Sequence, residues 1–362
     1  MKKHILIINP GSTSTKIAVF QEEVCLFEAK ITHTSEEILV YPTVLSQYQF
    51  RKKVILEELE KRNFDLGLLD AVCGRGGMLQ PMKSGTYIVN DEMLADLKAA
   101  RRGEHASNLG ALLADEIAKP LNIPAFIVDP VAVDEMEDIA RISGMKEIER
   151  QCIFHALNHK AIGRKVAKDH QKTYEQMNLI IVHLGGGISV AAHQKGQVID
   201  VNNALDGDGP MSPERSGTVP LGPLYKMCFS GKYSLADIKR MNVGQGGLVS
   251  YLGTNDARLI KERIQQGDRY AKLIYDAMIY QIAKEIGSCA TVLKGKLDYI
   301  VLTGGLAYDT YLTEELKDRV SFLAPVLIYP GEDEMLSLAQ GALRVLNKEE
   351  TFKIYGKNGR KK

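Results

Sequence analysis

The sequence predicts an α/β protein made of two duplicated domains, and three observations support this fold class. The chain has 362 residues, of which 45% are apolar, more than one compact core normally holds. An apolar strand, a polar or glycine turn and a second strand occur near the N-terminus and again near residue 180. Segments with helical spacing follow both hairpins, as expected of an internal duplication.

The first hairpin combines a buried strand at residues 5–8, a polar turn, and a second strand at residues 16–20. The turn supplies hydroxyl groups, backbone N–H groups and one positive charge, which together suit a phosphate group. It is not a Walker A loop, because the second glycine is missing and a strand follows where a helix is required. A purely structural turn is the alternative interpretation. The candidate phosphate-binding residues of this turn are Asn9, Ser12, Ser14 and Lys16.

The rest of the first domain alternates strands with helices. Arg75 lies between glycines after a short buried strand, where the backbone can approach another group closely. Asp129 follows a strand at its carboxyl end, the usual position of ligands in open α/β sheets. A solvent-exposed arginine and a turn-forming aspartate are the structural alternatives, and Asn108 is expected to cap a helix. The predicted strands are 24–32, 71–73 and 125–128, and the predicted helices are 44–62, 93–101 and 109–119.

The second half opens with a helix at 153–167 that carries His155 and His159 on one face. A zinc site is disfavoured, because the H-E-x-x-H pattern is absent. An irregular loop at 205–217 contains Arg215 and is typical of functional or disordered segments. The acidic turn before the last helix, with Glu334, can cap that helix or hold a divalent cation. The predicted strands are 179–183, 190–193, 197–201, 298–302 and 326–329, and the predicted helices are 269–293 and 335–346.

Composition excludes several classes of protein. The net charge is +1, from 46 basic and 45 acidic residues, so binding to nucleic acid or to a membrane surface is not expected. There is no apolar run long enough to span a bilayer and no signal peptide, which predicts a cytoplasmic protein. The five cysteines are scattered singly and are expected to be buried free thiols.

Three glycine turns after strands carry a resemblance to a known family. They contain Asn-x-Gly-Ser-x-Ser-x-Lys from residue 9, His-Leu-Gly-x-Gly-x-Ser from His183, and Thr-Gly-Gly from residue 303. They resemble the two phosphate elements and the adenosine element of the ATPase fold shared by actin, heat-shock chaperones and sugar kinases. Within that superfamily the chain is most similar to the acetate and butyrate kinase family, over residues 5–346, and its Gly-Arg-Gly-Gly around Arg75 resembles the butyrate kinase members.

The resemblance implies a two-domain, actin-like and ribonuclease H-like α/β fold. The βββαβαβα core is then duplicated, so that each domain is one copy with a mixed five-stranded sheet, and the ligands meet in an interdomain cleft. The expected domains are an acyl-substrate and phosphate domain at 1–150, joined by a C-terminal helix at 334–362, and a nucleotide-binding domain at 151–333.

The resemblance also implies a reaction. ATP transfers its γ-phosphoryl group reversibly to butyrate or a branched short-chain acid, which yields ADP and an acyl phosphate, with Mg²⁺ as the cation and a homodimer or higher homo-oligomer as the assembly. Acetate or propionate kinase is the alternative within the family. A sugar kinase or phosphohydrolase, and a non-kinase ATPase used for assembly, remain alternatives of other classes.

Phosphoryl transfer through a loose transition state needs cations and N–H donors more than a strong base. Arg75 and Arg215 are therefore the candidates for gripping the carboxylate and the phosphoryl group, and His155 is the candidate donor to a phosphoryl oxygen. Asp129 and Glu334 are the candidates for holding Mg²⁺ through water. The expected nucleotide-binding residues of the second domain are His183, Gly185, Gly186, Gly187, Gly304 and Gly305.

Overall fold

The structure is a computed structural model that describes residues 2–356. The chain divides into two compact units. Unit 1 comprises the chain up to Asp134 together with the chain from Asp333 onward, and unit 2 comprises Glu135–Glu332. The chain therefore leaves unit 1 once and returns to it before its last helix.

Strands and helices alternate through the N-terminal part of unit 1. The strands are β1 (His4–Pro10), β2 (Ser14–Gln21), β3 (Val24–Thr32), β4 (Ala71–Arg75), β5 (Thr86–Ile88) and β6 (Ala125–Val128). The helices are α1 (Ser35–Leu39), α2 (Tyr48–Lys61), α3 (Asp91–Lys98) and α4 (Asn108–Ala118).

Unit 2 contains a second three-stranded meander and most of the helices. Its elements are α5 (Asp138–Arg141), α6 (Ala156–Asp169), β7 (Asn178–Leu184), β8 (Ile188–Gln194), β9 (Gln197–Val201), α7 (Leu221–Cys228), α8 (Leu235–Asn242), α9 (Gly247–Leu252), α10 (Ala257–Gln265), α11 (Arg269–Val292), β10 (Tyr299–Gly304), α12 (Thr310–Val320) and β11 (Val326–Pro330). The chain then completes unit 1 with α13 (Glu334–Leu346) and β12 (Lys353–Ile354).

The two sheets repeat one topology. In unit 2 the strand order is β11-β10-β7-β8-β9, and in unit 1 it is β12-β5-β6-β4-β1-β2-β3. In both, the first strand of the meander lies inside the sheet, pairs antiparallel with the second strand, and pairs parallel with the next strand of the core. The predicted α/β class and its internal duplication are confirmed. The expectation of five strands holds for unit 2 and is wrong for unit 1, whose described residues form a sheet of seven strands because β5 and β12 extend one edge.

The central strands are apolar on both faces because helices cover both faces. Ile5, Leu6, Ile7 and Ile8 are fully buried in β1. Leu6 and Ile8 pack in a cluster with residues of α2 and α4, and α13 packs against β1, β4 and β6. Helix α6, which follows β6 in the chain, packs instead against β7 in unit 2. Each sheet is thus covered partly by a helix that follows the other sheet's last core strand.

The last helix, predicted at 335–346, is confirmed by α13, which ends at Leu346. The domain bounds treated 334–362 as one C-terminal helix, whereas after α13 a short strand, β12, pairs with β5. Tyr355 is 5% exposed, and its hydroxyl donates to Asp96 Oδ2 over 2.7 Å. The segment up to Gly356 is therefore part of the packed unit, and residues 357–362 lie outside the described part of the chain.

Two other local predictions are also wrong. Ser107, and not Asn108, is the residue at the N-terminal cap of α4, and Asn108 instead accepts a hydrogen bond from Met78 N. Cys25 and Cys228 are exposed, whereas the other three cysteines are buried as expected.

Among residues 2–356, the structure has no helix that is both long enough and apolar enough to cross a bilayer.

Strand β4 and helix α4 approach so closely that only glycine fits at their contact. A Cβ atom on Gly74 would lie 2.1 Å from the carbonyl oxygen of Gly110. We expect Gly74→Ala to lower the free energy of unfolding by about 1–3 kcal/mol, because backbone has to move to accept the methyl group. Urea unfolding followed by circular dichroism measures this loss.

Gly11→Ala is the matched control in the same unit, because a Cβ atom there meets its nearest atom at an ordinary 3.4 Å. Equal losses for the two variants would show that the contact between β4 and α4 tolerates a methyl group.

Candidate functional site

In unit 1, three of the predicted residues are joined by direct hydrogen bonds. Asn9 is the second-to-last residue of β1 and is 8% exposed, and Arg75 is the last residue of β4. Asn9 Nδ2 donates to Glu334 Oε2 over 2.8 Å, and Arg75 Nη1 forms an ion pair with Glu334 Oε1. Glu334 is the first residue of α13, so its carboxylate ties the ends of two parallel neighbouring strands to the start of that helix.

The remaining phosphate-binding candidates lie near Asn9 in the hairpin that β1 and β2 form. Lys16 is the direct partner of Asn9 across β1 and β2, which places both side chains on one face of the sheet. Lys16 and Ser12 are exposed, and Ser14 is partly exposed. The turn thus presents hydroxyl groups and one ammonium group to solvent, as its sequence predicts.

The sequence interpretation missed Arg51, a buried residue of α2 that donates hydrogen bonds to the backbone of this turn. It is 1% exposed, and its Nη1 donates to Gly11 O over 2.8 Å and to Ser14 O over 3.2 Å. Its Nη2 donates to Ser12 O over 3.1 Å. Burial lowers the pKa of the Arg51 guanidinium to about 10, so it stays charged at neutral pH. Because three carbonyl groups of the turn accept hydrogen bonds from Arg51, these bonds fix the backbone conformation of the turn.

His105 and Asn108 lie near Arg75 in unit 1. Burial, and then the positive charge of Arg75, lower the pKa of His105, so its imidazole is neutral at pH 7. A Cβ atom on Gly77 would lie 2.5 Å from Asn108 Oδ1. The second glycine after Arg75 therefore makes room for the Asn108 side chain.

Asp129 follows β6, is 1% exposed, and has a backbone φ of +37°, an unusual value for a residue other than glycine. Its Oδ1 accepts hydrogen bonds from Ser84 Oγ over 2.6 Å and from Gly85 N over 2.7 Å. The two predicted metal-binding carboxylates, Asp129 and Glu334, thus have different hydrogen-bond partners. Within residues 2–356 there is no cluster of three or more His, Cys, Asp or Glu side chains that could hold a metal ion.

In unit 2, the glycine turn after β7 and the irregular loop form one structure. A Cβ atom on Gly187 would lie 1.8 Å from Arg215 Nη1, so only glycine permits the arginine at this place. Arg215 Nη1 donates to Ala204 O, and Ser212 Oγ donates to Gly186 O over 2.6 Å. Burial lowers the pKa of the Arg215 guanidinium. The predicted residues Gly186, Gly187 and Arg215 are therefore neighbours.

The third glycine turn lies beside the second. Gly304 has a φ of +91°, and a Cβ atom there would lie 2.4 Å from Leu184 O. Gly305, by contrast, has no atom within 4 Å of a Cβ position among the described residues. Position 304 requires glycine because its backbone lies against the end of β7. Gly305 has open space beside it instead.

His155 and His183 stack in unit 2, with ring centroids 3.7 Å apart and planes inclined by 13°. His183 Nδ1 lies 2.9 Å from Asn158 Oδ1, and its Nε2 lies 3.2 Å from Glu332 Oε1. His155 Nδ1 lies 2.9 Å from Ser189 Oγ. The structure thus brings the two predicted histidines together, and each is oriented by a polar partner that the sequence interpretation did not name.

Each unit, taken by itself, presents cations and N–H donors at the carboxyl ends of its parallel strands. Arg75 ends β4 in unit 1, and His183 lies next to the end of β7 in unit 2. This is the edge of an α/β sheet at which anionic ligands usually bind. Such donors suit phosphate and carboxylate groups, which accept several charge-assisted hydrogen bonds at once.

Comparison with known proteins gives a consistent result. The sequence model of the acetokinase family matches residues 143–323. Two proteins from Clostridium botulinum strains of types E and B, each described as a probable butyrate kinase, are 56% identical over 355 residues, which is 98% of this chain and 100% of theirs.

Solved structures are similar over nearly the whole chain. Acetate kinase from Porphyromonas gingivalis has a TM-score of 0.78 at 20% identity, covering 95% of this chain and 100% of its own. A propionate kinase from Francisella tularensis has a TM-score of 0.72 at 19% identity, covering 94% of this chain and 98% of its own. These likenesses confirm the predicted fold. With relatives more than half identical along its length and half of its residues matched by the family's sequence model, the chain belongs to the acetokinase family.

Proposed function

We propose that the chain is a butyrate kinase, which transfers the γ-phosphoryl group of ATP reversibly to butyrate or a branched short-chain acid. The identity of 56% to probable butyrate kinases over 98% of the chain carries this proposal. The geometry supports it, because Arg75, Arg215 and His155, the residues expected to handle anions, all lie at or beside strand ends with oriented partners.

The chemistry requires no strong base. A short fatty acid has a carboxyl pKa near that of glutamate, about 4.3, and is ionised at pH 7. One carboxylate oxygen attacks the γ-phosphorus, the bond from that phosphorus to the bridging oxygen of ADP breaks, and no proton is transferred. The buried carboxylate of Asp129, which accepts from Ser84 and Gly85, supports an orienting role for this residue over a general-base role.

Arg75 and Arg215 would hold the acid and the transferring phosphoryl group. A guanidinium carries five N–H donors in a fork that matches a planar oxyanion. Arg75 gives one of these donors to Glu334, which fixes the direction of the rest. His155 would donate to a phosphoryl oxygen, where negative charge is redistributed in the transition state.

The nucleotide would be held by the hairpin turn and the glycine turns. Backbone N–H groups of glycine turns can approach phosphate oxygens closely, and Lys16 adds a positive charge. We propose that Asn9, Ser12, Ser14 and Lys16 contact phosphate groups or metal-bound water. His183, Gly185, Gly186 and Gly187 would line the β-phosphate, and Gly304 and Gly305 the nucleoside.

We propose Mg²⁺ as the cation, held by Asp129 and Glu334 through water. Mg²⁺ keeps several waters and takes one or two carboxylates, which fits a chain whose described residues form no larger ligand cluster. When bound, the ion neutralises charge on the β- and γ-phosphates.

We also propose that the enzyme is cytoplasmic and forms a homodimer or higher homo-oligomer. The free cysteines support a reducing compartment. Phe229 and Leu235, beside and in the helices α7 and α8, are 90% and 72% exposed, and large exposed apolar side chains often mark an interface.

The acid substrate is identified by trapping the acyl phosphate with hydroxylamine, which converts it to a hydroxamate. We expect hydroxamate formation, with MgATP and acids from acetate to valerate including isobutyrate, to be greatest near four carbons. A pocket distinguishes neighbouring acids by only about 1 kcal/mol per methylene, so activity should fall gradually on both sides. A maximum at acetate would favour acetate kinase, and no product with any acid would overturn the proposal.

The two arginines are tested by substitution. We expect Arg75→Ala and Arg215→Ala each to lower kcat/KM by roughly 100-fold or more, because each removes charge stabilisation of the transition state. Arg62→Ala and Arg240→Ala are the controls, since Arg62 forms an ion pair with Glu58 at the end of α2 and Arg240 forms one with Asp237 in α8. Losses no larger than those of the controls would contradict the assigned roles.

Asp129→Asn tests the metal proposal without breaking the local structure. The amide oxygen can still accept from Ser84 and Gly85, but the negative charge is lost. We expect the Mg²⁺ concentration for half-maximal rate to rise roughly tenfold. Ser84→Ala, which removes one hydrogen bond and no charge, is the control. If Asp129→Asn needs no more Mg²⁺ than wild type, the carboxylate serves only to hold its loop.

The assembly is tested by light scattering during gel filtration. We expect a mass at least twice the 40.1 kDa of one chain. A mass of one chain at micromolar concentration would contradict the proposed oligomer.

A further inference from the structure

In unit 2, a continuous hydrogen-bonded chain of polar side chains extends from His155 into the protein interior, and the proposed reaction does not use it. They come from α6, β8 and a short 3₁₀ turn after α6. Each side chain lies within hydrogen-bonding distance of the next. In order, the members are Tyr174, His193, His159, Ser189 and His155.

The contacts run from one end of the chain to the other without a break. Tyr174 Oη contacts His193 Nδ1. His193 Nε2 lies 3.2 Å from His159 Nδ1, and His159 Nε2 lies 2.8 Å from Ser189 Oγ. The same Ser189 oxygen lies 2.9 Å from His155 Nδ1. Both ring nitrogens of His159 and of His193 are therefore used within the chain.

The two inner histidines are neutral. His159 and His193 are 0% exposed, and burial lowers the pKa of both well below its usual value. A neutral imidazole has one N–H donor and one acceptor nitrogen, and a hydroxyl group has a single proton to donate. The three bonds from Tyr174 through His193 and His159 to Ser189 must therefore all have the same direction. The Ser189 oxygen can accept from two donors, so the bond between Ser189 and His155 depends on where Ser189 places its own proton.

Tyr174 selects the direction of these three bonds. A phenol hydroxyl donates well to an imidazole nitrogen, whereas its oxygen is the weaker acceptor. Lys160, which is 0% exposed and ion-paired with Glu135, has its ammonium group 5.5 Å from the centroid of the Tyr174 ring. A positive charge at this end favours O–H and N–H bonds that point away from it. Tyr174 therefore donates, and the ring protons of His193 and His159 point toward Ser189, which then has its single hydroxyl proton to give to His155 Nδ1.

We propose that this hydrogen-bonded chain holds His155 as the tautomer with its proton on Nε2, so that His155 is fixed as a donor to the transferring phosphoryl group. Ser189 donates to His155 Nδ1, which leaves the imidazole proton on the other nitrogen. Tyr174, His193 and His159 are thus positioning residues that act on the reaction through His155. The link to phosphoryl transfer rests on the proposed function, whereas the tautomer itself does not.

The tautomer is measured directly by nitrogen NMR. In protein labelled with ¹⁵N-histidine, long-range proton–nitrogen correlation distinguishes the two tautomers, and His155→Gln identifies the His155 signals. We expect the Nε2–H form in wild type. Tyr174→Phe should shift the ratio of tautomers about fivefold toward the Nδ1–H form, the factor that one neutral hydrogen bond of about 1 kcal/mol sets. Ser189→Ala breaks the chain next to His155 and should give a shift in the same direction.

The kinetic expectation is a split between kcat and KM. Tyr174→Phe should lower kcat for acyl phosphate formation about fivefold and leave KM for ATP and for the acid unchanged, because only a transition-state donor is weakened. Tyr299→Phe is the matched control, because its hydroxyl lies 3.3 Å from the Nδ1 atom of His170, another histidine of unit 2, outside the chain. It should change neither the His155 tautomer nor kcat.

The possible failures are distinguishable. An Nδ1–H form of His155 in wild type, or a tautomer ratio that neither Tyr174→Phe nor Ser189→Ala moves, would overturn the role of the chain. A shifted tautomer with unchanged kcat would overturn its link to phosphoryl transfer. If wild type forms no hydroxamate with any acid while the tautomer responds as expected, the proposed function fails and the assignment of the tautomer stands.

Discussion

The carboxylate of Glu334 is the constraint on which the organisation of unit 1 depends. One of its oxygens accepts from Asn9 and the other from Arg75, so the ends of β1 and β4 and the start of α13 share one charged group. Its side chain is 25% exposed, which makes the ion pair with Arg75 stronger than a pair on the open surface. Because α13 joins unit 1 only after the chain has passed through unit 2, this carboxylate connects residues that are far apart in sequence.

Much of the fold could be predicted because apolar runs bounded by turn residues specify strands whatever lies around them. Strands β3, β6 and β9 have the bounds that the sequence predicts. Strands β5 and β12 have three and two residues, too few to show a period, and they exist because a neighbouring edge pairs with them. The missed helices α7 to α10 are no longer than nine residues, whereas α12, also missed, has eleven.

The glycines predicted close approaches correctly but not the groups that approach. The glycines around Arg75 were expected to let the backbone approach another group, and at Gly76 this group is Pro130, which a Cβ atom would meet at 2.4 Å. Gly187 makes room for Arg215, a residue of the chain itself. A glycine in a sequence allows another group to come within a methyl group's distance. Whether this is a ligand, a helix or a side chain depends on tertiary contacts that no local pattern contains.

Buried polar side chains were the least predictable part of the site, since their partners lie on other elements. Arg51 occurs among charged residues of an amphipathic helix, and nothing in its neighbourhood separates it from solvated arginines. The four-residue spacing of His155 and His159 had a counterpart in Ser189 and His193, which lie four apart on a strand whose alternate residues share a face. Neutral, desolvated imidazoles are stable inside a protein only when both ring nitrogens have partners. A pair of such spacings on a helix and on a neighbouring strand is therefore better evidence for a connected polar network than either spacing alone.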